Sequence, residues 1–283
     1  MHELTIDELR SRQLDILLAF DHICRENDLR YELAFGTLIG AVRHHGYIPW
    51  DDDIDVMMPQ ADYVKLISVI NDLHTGGVVD GHFRFAEFRI ESPIPYHQTF
   101  MKVYDTETRA SVSTLKPEMG FEEGVFIDVF FVSGIPEDGL DEKLARLQEA
   151  SDMVYYCTGV PQAEEMSWSH PRWALKSRRG YRRAAQQPLS HWQNEWLDAL
   201  SAFPDSDGAK RAWCLPDLTA GFAKEAIDDN PWFPTTTLTF EGRELPVPAQ
   251  YDHVLTQFYG DYMKLPPEDQ QVRSHDQKFF LKE

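Results

Sequence analysis

The stretch Phe35-Gly36-Thr37-Leu38-Ile39-Gly40-Ala41-Val42-Arg43-His44-His45-Gly46-Tyr47-Ile48-Pro49-Trp50-Asp51-Asp52-Asp53-Ile54-Asp55-Val56 decides both fold and chemistry. Before it, Tyr31 to Phe35 is short and apolar and ends in Gly36-Thr37, so it reads as a strand entering a tight turn. Leu38 to Arg43 suits a helical turn or two, which His44-His45-Gly46 breaks. A helix start of this kind offers backbone N–H groups and a positive dipole end to an anion. After Pro49-Trp50, four acids in five positions lead into Val56-Met57-Met58, a strand leaving an acidic mouth. Asp53 and Asp55, one residue apart on a strand, would share a face with about 7 Å between their backbone positions, a spacing that suits Mg²⁺. Carboxylates this close repel each other, and a divalent ion relieves the repulsion while keeping them ionised.

Blander readings of the cluster fit less well. A solvated acidic loop would not alternate with Ile54 and Val56 behind Trp50. Asp51, Asp53 and Asp55 match the first ligand positions of a calcium loop, but Val56 stands where its glycine belongs and Asp62 where its glutamate belongs. An ion-pair network lacks nearby lysines and arginines. Asp128 is a lone acid in the apolar run Gly124 to Phe131, and burying it there costs several kcal/mol unless a partner is present. A metal shared with Asp53 and Asp55 would serve; so would a cap or an arginine.

Outward from this segment, Thr5 to about Asp28 carries apolar side chains at helical spacing behind a Thr5–Glu8 capping box. A further helix is expected from Pro59 to about Asp72. Phe83 to Phe88, Thr99 to Tyr104 and Gly124 to Phe131 read as strands. From Glu137 onward the pattern turns helical, clearest over Leu140 to Tyr156 and Trp192 to Ala202, with a polar, basic stretch from Pro171 to Pro188 between them. The expected fold class is α+β, a mixed sheet flanked by helices, with a core over 1–136 and a mainly helical C-terminal half over 137–283 that completes one compact unit.

The chain has 283 residues, with 27 Lys+Arg against 47 Asp+Glu and a net charge of −20. That surplus argues against a nucleic-acid partner or any broad grip on polyanions. Cys24, Cys157 and Cys214 are few and show no metal or redox spacing, which suits a reducing cytoplasm. No apolar run is long enough to span a bilayer, and the first residues are unlike a signal peptide. A cytoplasmic protein is expected, with the inner membrane face as a further location.

A Gly-Thr turn, an Asp-x-Asp pair and a third Asp on a later strand form the arrangement of the nucleotidyltransferase superfamily. The stretch from Phe35 to Val56 closely resembles the signature of the LicD family, whose relatives include fukutin-related proteins. Lys102-Val103-Tyr104-Asp105 is similar to that family's basic strand and Phe126-Ile127-Asp128-Val129-Phe130 to its third-acid strand. Tyr259-Gly260-Asp261-Tyr262-Met263, followed by Pro266-Pro267, resembles its closing motif. The resemblance is weakest from Glu137 to Asn230, where acceptor choice would be decided.

The resemblance implies a nucleotidyltransferase-like fold and a transferase moving an alcohol phosphate onto a hydroxyl of a cell-surface glycan, such as lipopolysaccharide or teichoic acid. The group would be phosphocholine from CDP-choline, or a polyol phosphate from a CDP-polyol. Such transfer asks a protein for alignment and charge neutralisation. Asp53, Asp55 and Asp128 are then the catalytic and metal-holding residues, for two Mg²⁺ ions with Mn²⁺ as an alternative. Asp128 has general base as its other role. Gly36 and Thr37 would cradle a phosphate, and Arg43 and Lys102 would neutralise the leaving CMP. Asp51 is a further candidate ligand, and Asp52 a structural hydrogen-bonder. Two rival functions are nucleotidyl transfer from an NTP and non-catalytic metal or nucleotide binding.

Arg172, Lys176, Arg178, Arg179, Arg182 and Arg183 form a basic segment without an acid, suited to a donor diphosphate, an anionic glycolipid acceptor or the membrane surface, or simply to a solvated helix face. The tryptophans around it, Trp168, Trp173, Trp192 and Trp196, are expected mostly in the core. Tyr259 to Met263 and His275 are expected to close over the site or pack against it.

Overall fold

A computed structural model describes residues 2–91, 96, 98–111, 122–159, 171–214, 227–228, 232–273 and 277–283, with the side chains of 171–173 and 227–228 left aside. The first helix, α1 (Ile6–Glu26), starts where expected: Thr5 Oγ1 accepts from Glu8 N, and Glu8 accepts from Thr5 N at 2.8 Å. A short β1 (Glu32–Leu33) leads directly into α2 (Phe35–His44), so the Gly-Thr turn is the first turn of a helix. Then follow β2 (Asp55–Pro59), α3 (Gln60–Asp72), β3 (Val78–Val79), β4 (Phe83–Ala86), β5 (Met101–Asp105), β6 (Thr108–Ala110) and β7 (Phe126–Gly134).

The strands form one mixed sheet in the order β1-β2-β7-β5-β4-β3. Of these pairings β2 with β7 alone is parallel, and its register sets Asp55 against Asp128. Lys102 of β5 lies against Asp128 from the other side. Because side chains alternate across a strand, one face carries Asp55, Met57, Asp128, Phe130 and Lys102. The opposite face carries Met58, Phe131 and Val103, covered by helices: the Tyr63 and Trp196 rings pack on Phe131, and Phe20 packs on Phe85.

The second half is mainly helical, as expected, and adds short strands that the sequence did not announce. Helices α4 (Leu140–Thr158), α5 (Pro171–Ala184) and α6 (Leu189–Leu200) do occur, and the basic stretch is α5 itself. Beyond them the chain returns to the sheet through β8 (Arg211–Cys214), which joins the far end of β7, and β9 (Ile227–Asp228). A hairpin follows, β10 (Thr235–Phe240) and β11 (Arg243–Pro248), and then α7 (Tyr251–Tyr259) and β12 (Phe279–Leu281). The hairpin turns on Glu241-Gly242, both at positive φ, the two-residue turn that matches strand twist. One hydrophobic cluster runs from Leu9 to Phe279 across both halves. None of the described helices is long and apolar enough to cross a membrane.

One residue sits oddly in this frame. Glu32 of β1 is fully buried, and neither carboxyl oxygen has a hydrogen-bond partner among the described residues. Burial pushes its pKa well above the ordinary glutamate value, with Arg30 opposing weakly. A carboxyl raised in the fold must bind a proton once the pH exceeds about 4.3, where the unfolded chain has lost it. Its contribution to stability is therefore present below that pH and falls by up to about 1.4 kcal/mol per pH unit above it. Glu32→Met should accordingly be more stable than the parent by about 1–3 kcal/mol at pH 8. The gain should shrink towards pH 5, as read by urea denaturation at the two pH values.

Candidate active site

The sequence from Gly46 to Asp55 crosses the mouth of the β2–β7 pair, and its shape is held from below by α1. Arg10 donates to the carbonyls of Ile48, Pro49 and Asp51 at 3.0, 3.0 and 2.7 Å, and Gln13 Nε2 donates to Asp52 O at 2.8 Å. With its carbonyls bonded to α1, this loop directs Asp51 and Asp53 into a cleft of about 1110 Å³, where they meet Asp55 and Asp128. Asp53 thus belongs to the loop and Asp55 opens the strand, a difference from the expected shared strand that still brings both into one cleft. A loop running into a strand is also not the helix–loop–helix of a calcium hand.

Burial and the neighbouring Asp53 push the Asp51 carboxyl up to about 7. Burial and the charges of Asp53 and Asp128 raise Asp55 well above the usual range, with Lys102 opposing. Asp51, Asp52 and Asp53 each offer an oxygen within 4.8 Å of the others. This donor set fits a hard divalent cation, because hard oxygen ligands and surplus negative charge are both present.

Of the residues expected to bind substrate, Gly36 lines the cleft, and its Cα–H side faces Asp51 so closely that a Cβ would lie 2.7 Å from Oδ2. Thr37 does not line it. Thr37 is buried, and its Oγ1 accepts from Asp55 N at 2.9 Å, so its side chain fixes the start of β2 while its backbone belongs to the first turn of α2. Lys102 is buried and pairs with Asp128 at 2.5 Å, its ammonium 3.5 Å from the centre of the Phe126 ring. The partner that the lone acid required is therefore a lysine. Arg43 lines the cleft and donates to Tyr262 O at 2.6 Å, joining α2 to the C-terminal motif.

That motif forms the opposite wall. Tyr259, Asp261, Tyr262 and Lys264 to Pro267 line the cleft with Phe258, whose ring stacks on Phe35 at 6.1 Å. Phe35 in turn meets Phe130 at 5.6 Å, and Trp232 meets Phe258 at 5.8 Å. Tyr259, Asp261 and Tyr262 were expected near the site, whereas Phe258, Phe130, Trp50 and Ile39 were not; the aromatic residues flanking Gly36 and Gly260 were the available signal. His44 bonds Arg43 and takes no part in a zinc-like set. Trp192 and Trp196 are buried as expected, whereas Trp168, the Trp173 side chain and His275 lie outside the described residues.

Residues 28–132 match the family described as LicD/FKTN/FKRP, nucleotidyltransferase domain. Over 289 aligned residues the chain is 28% identical to the lipopolysaccharide cholinephosphotransferase LicD of Haemophilus influenzae, covering 99% of this chain and 100% of that protein. An uncharacterized protein of Rickettsia prowazekii is 42% identical over 45 residues, 16% of this chain and 17% of its own.

If Thr37 holds β2 through its hydroxyl, Thr37→Val leaves the Asp55 N–H buried without an acceptor and costs about 1–3 kcal/mol. Thr37→Ser should lose clearly less. Urea denaturation of the two variants measures the difference, and equal stability would refute this role.

Proposed function

We propose that this chain is a LicD-type transferase, which moves phosphocholine from CDP-choline to a hydroxyl of a cell-surface glycan or glycolipid in an Mg²⁺-dependent reaction. The observation that carries the reading is the convergence of Asp51, Asp53, Asp55 and Asp128 in one cleft beneath a helix N-terminus. Asp53, Asp55 and Asp128, with Asp51 beside them, would hold Mg²⁺ or Mn²⁺. The bound metal would neutralise the diphosphate and the departing CMP.

The protein's own groups would do the rest. The first turn of α2 at Gly36 presents backbone N–H groups to a phosphate. Arg43 adds a cation on the same wall of the cleft. The acceptor oxygen attacks the phosphorus carrying the choline ester, a P–O bond forms, and the P–O bond to the bridging oxygen of CMP breaks. Asp128, which Lys102 holds in position, would take the hydroxyl proton in place of its metal-holding role. Alignment of the two substrates between the acidic loop and the 258–267 wall supplies much of the rate enhancement.

We further propose peripheral contact with an anionic membrane surface through α5, whose Lys176, Arg179 and Arg182 side chains are exposed. Cosedimentation with vesicles rich in phosphatidylglycerol should be lost in Arg179→Glu/Arg182→Glu; binding unchanged by the double reversal would refute the contact.

Incubation with CDP-choline, Mg²⁺ and acceptor glycan should release CMP, and chelation of the metal should stop it. Asp53→Asn should lower turnover on the order of 10²-fold or more. Absence of CMP with CDP-choline would overturn the phosphocholine reading, and CMP from a CDP-polyol alone would reassign the donor. Pyrophosphate release from an NTP would point instead to nucleotidyl transfer.

A further inference from the structure

Glu32 is placed by its register on the reactive face of the sheet. It pairs with Met57, and Ala34 N donates to Asp55 O at 3.0 Å, so Glu32, Met57 and Asp55 share a face while Tyr31 and Leu33 turn to the other side. Tyr31 confirms the alternation by packing on Phe20 of α1. Phe130 lies beside Met57 in the parallel ladder and carries the Phe35 ring, on which Phe258 stacks. These three rings line the cleft, and buried Glu32 stands in the same row of the sheet as Phe130, with Met57 between them.

Two other buried acids are closed by arginine: Glu87 by Arg89 at 2.7 Å and Asp105 by Arg12. Glu32 is not. The nearest basic residue along the chain, Arg30, is spent on Asp62 and Asp207 at 2.7 and 2.8 Å. A buried carboxyl without a partner is costly, and nothing in the packing of the sheet asks for one beside Met57. Aromatic faces attract cations through their quadrupole, most strongly where water is excluded, and recognition of quaternary ammonium groups uses such walls.

We propose that Phe35, Phe130 and Phe258, with Glu32 buried in the Phe130 row beyond Met57, form the pocket for a cationic headgroup of the quaternary ammonium class at the alcohol end of the donor. The inference rests on the phosphocholine reading and adds the residues that select choline over a neutral polyol. An arriving cation supplies the counter-charge that burial withholds, so the ionised carboxylate, costly in the empty protein, becomes favoured in the complex. The rings provide contact and the buried anion provides a directional field across them.

Calorimetric binding of CDP-choline, CDP-glycerol, CMP and free choline to the full chain tests this. The parent should prefer CDP-choline to CDP-glycerol, and Glu32→Gln, similar in shape and neutral, should weaken CDP-choline and choline binding about 10-fold while leaving CMP affinity within about 2-fold. Phe258→Leu should weaken the same two ligands, which keeps the test decisive if the Glu32 variant folds poorly. Equal choline and CDP-choline affinity in parent and both variants would overturn the pocket. CMP release by the parent enzyme reports separately on the phosphocholine reading: turnover of CDP-choline with an unaffected Glu32→Gln variant would sink the pocket and leave the reaction standing. Choline binding lost in Glu32→Gln alongside turnover of a CDP-polyol alone would do the reverse.

Discussion

The parallel pairing of β2 with β7 is the constraint on which the site depends. It sets Asp55 against Asp128 across a single ladder step, while the loop before β2 adds Asp51 and Asp53. Four carboxylates at one sheet edge repel one another, as the raised Asp51 and Asp55 show. Without other constraints the loop would relax outwards. It is held because Arg10 and Gln13 bond its carbonyls, Thr37 bonds the first strand amide, and Ile54 O accepts from Asp128 N at 2.9 Å. The backbone network thus stores an electrostatic tension that a bound cation would release.

Much of this was legible in the sequence because local signals were strong there. The capping box fixed the start of α1, and the Gly-Thr turn followed by acids announced strand, helix and mouth in order. The reasoning that a lone acid in an apolar strand needs a partner found Asp128, although the partner proved to be Lys102 in the next strand. The same reasoning applied to Tyr31 to Phe35 would have singled out Glu32. The hairpin of β10 and β11 escaped notice because prolines and exposed threonines masked its alternation, and a turn of Glu-Gly is a weaker sign than Asn-Gly. The detailed facing of the opposite wall, beyond the expectation that Tyr259 to Met263 lie at the site, was out of reach for another reason. Which side chains of 258–267 face the cleft depends on the Arg43 bond to Tyr262 O, a contact 219 positions apart that no local pattern encodes.

Glu32 and the acidic loop show the same trade in two settings. Each keeps groups in an environment that disfavours their charge, and each would be easier to fold with a neutral side chain. Proteins retain such positions where a ligand gains more from them than the fold loses. Glu87 and Asp105, equally buried but satisfied within the chain, mark the contrast: they stabilise, and offer a ligand nothing.

The way Arg10 gathers three carbonyls of the loop at Ile48, Pro49 and Asp51 bears on the thermodynamics of ligand capture. A loop pinned to a 21-residue helix has little conformational freedom left to surrender. Its share of the ordering entropy is met during folding, before any donor arrives. Association at this wall should then carry a small entropic penalty, with heat capacity changes arising chiefly from the aromatic side, where apolar surface leaves water.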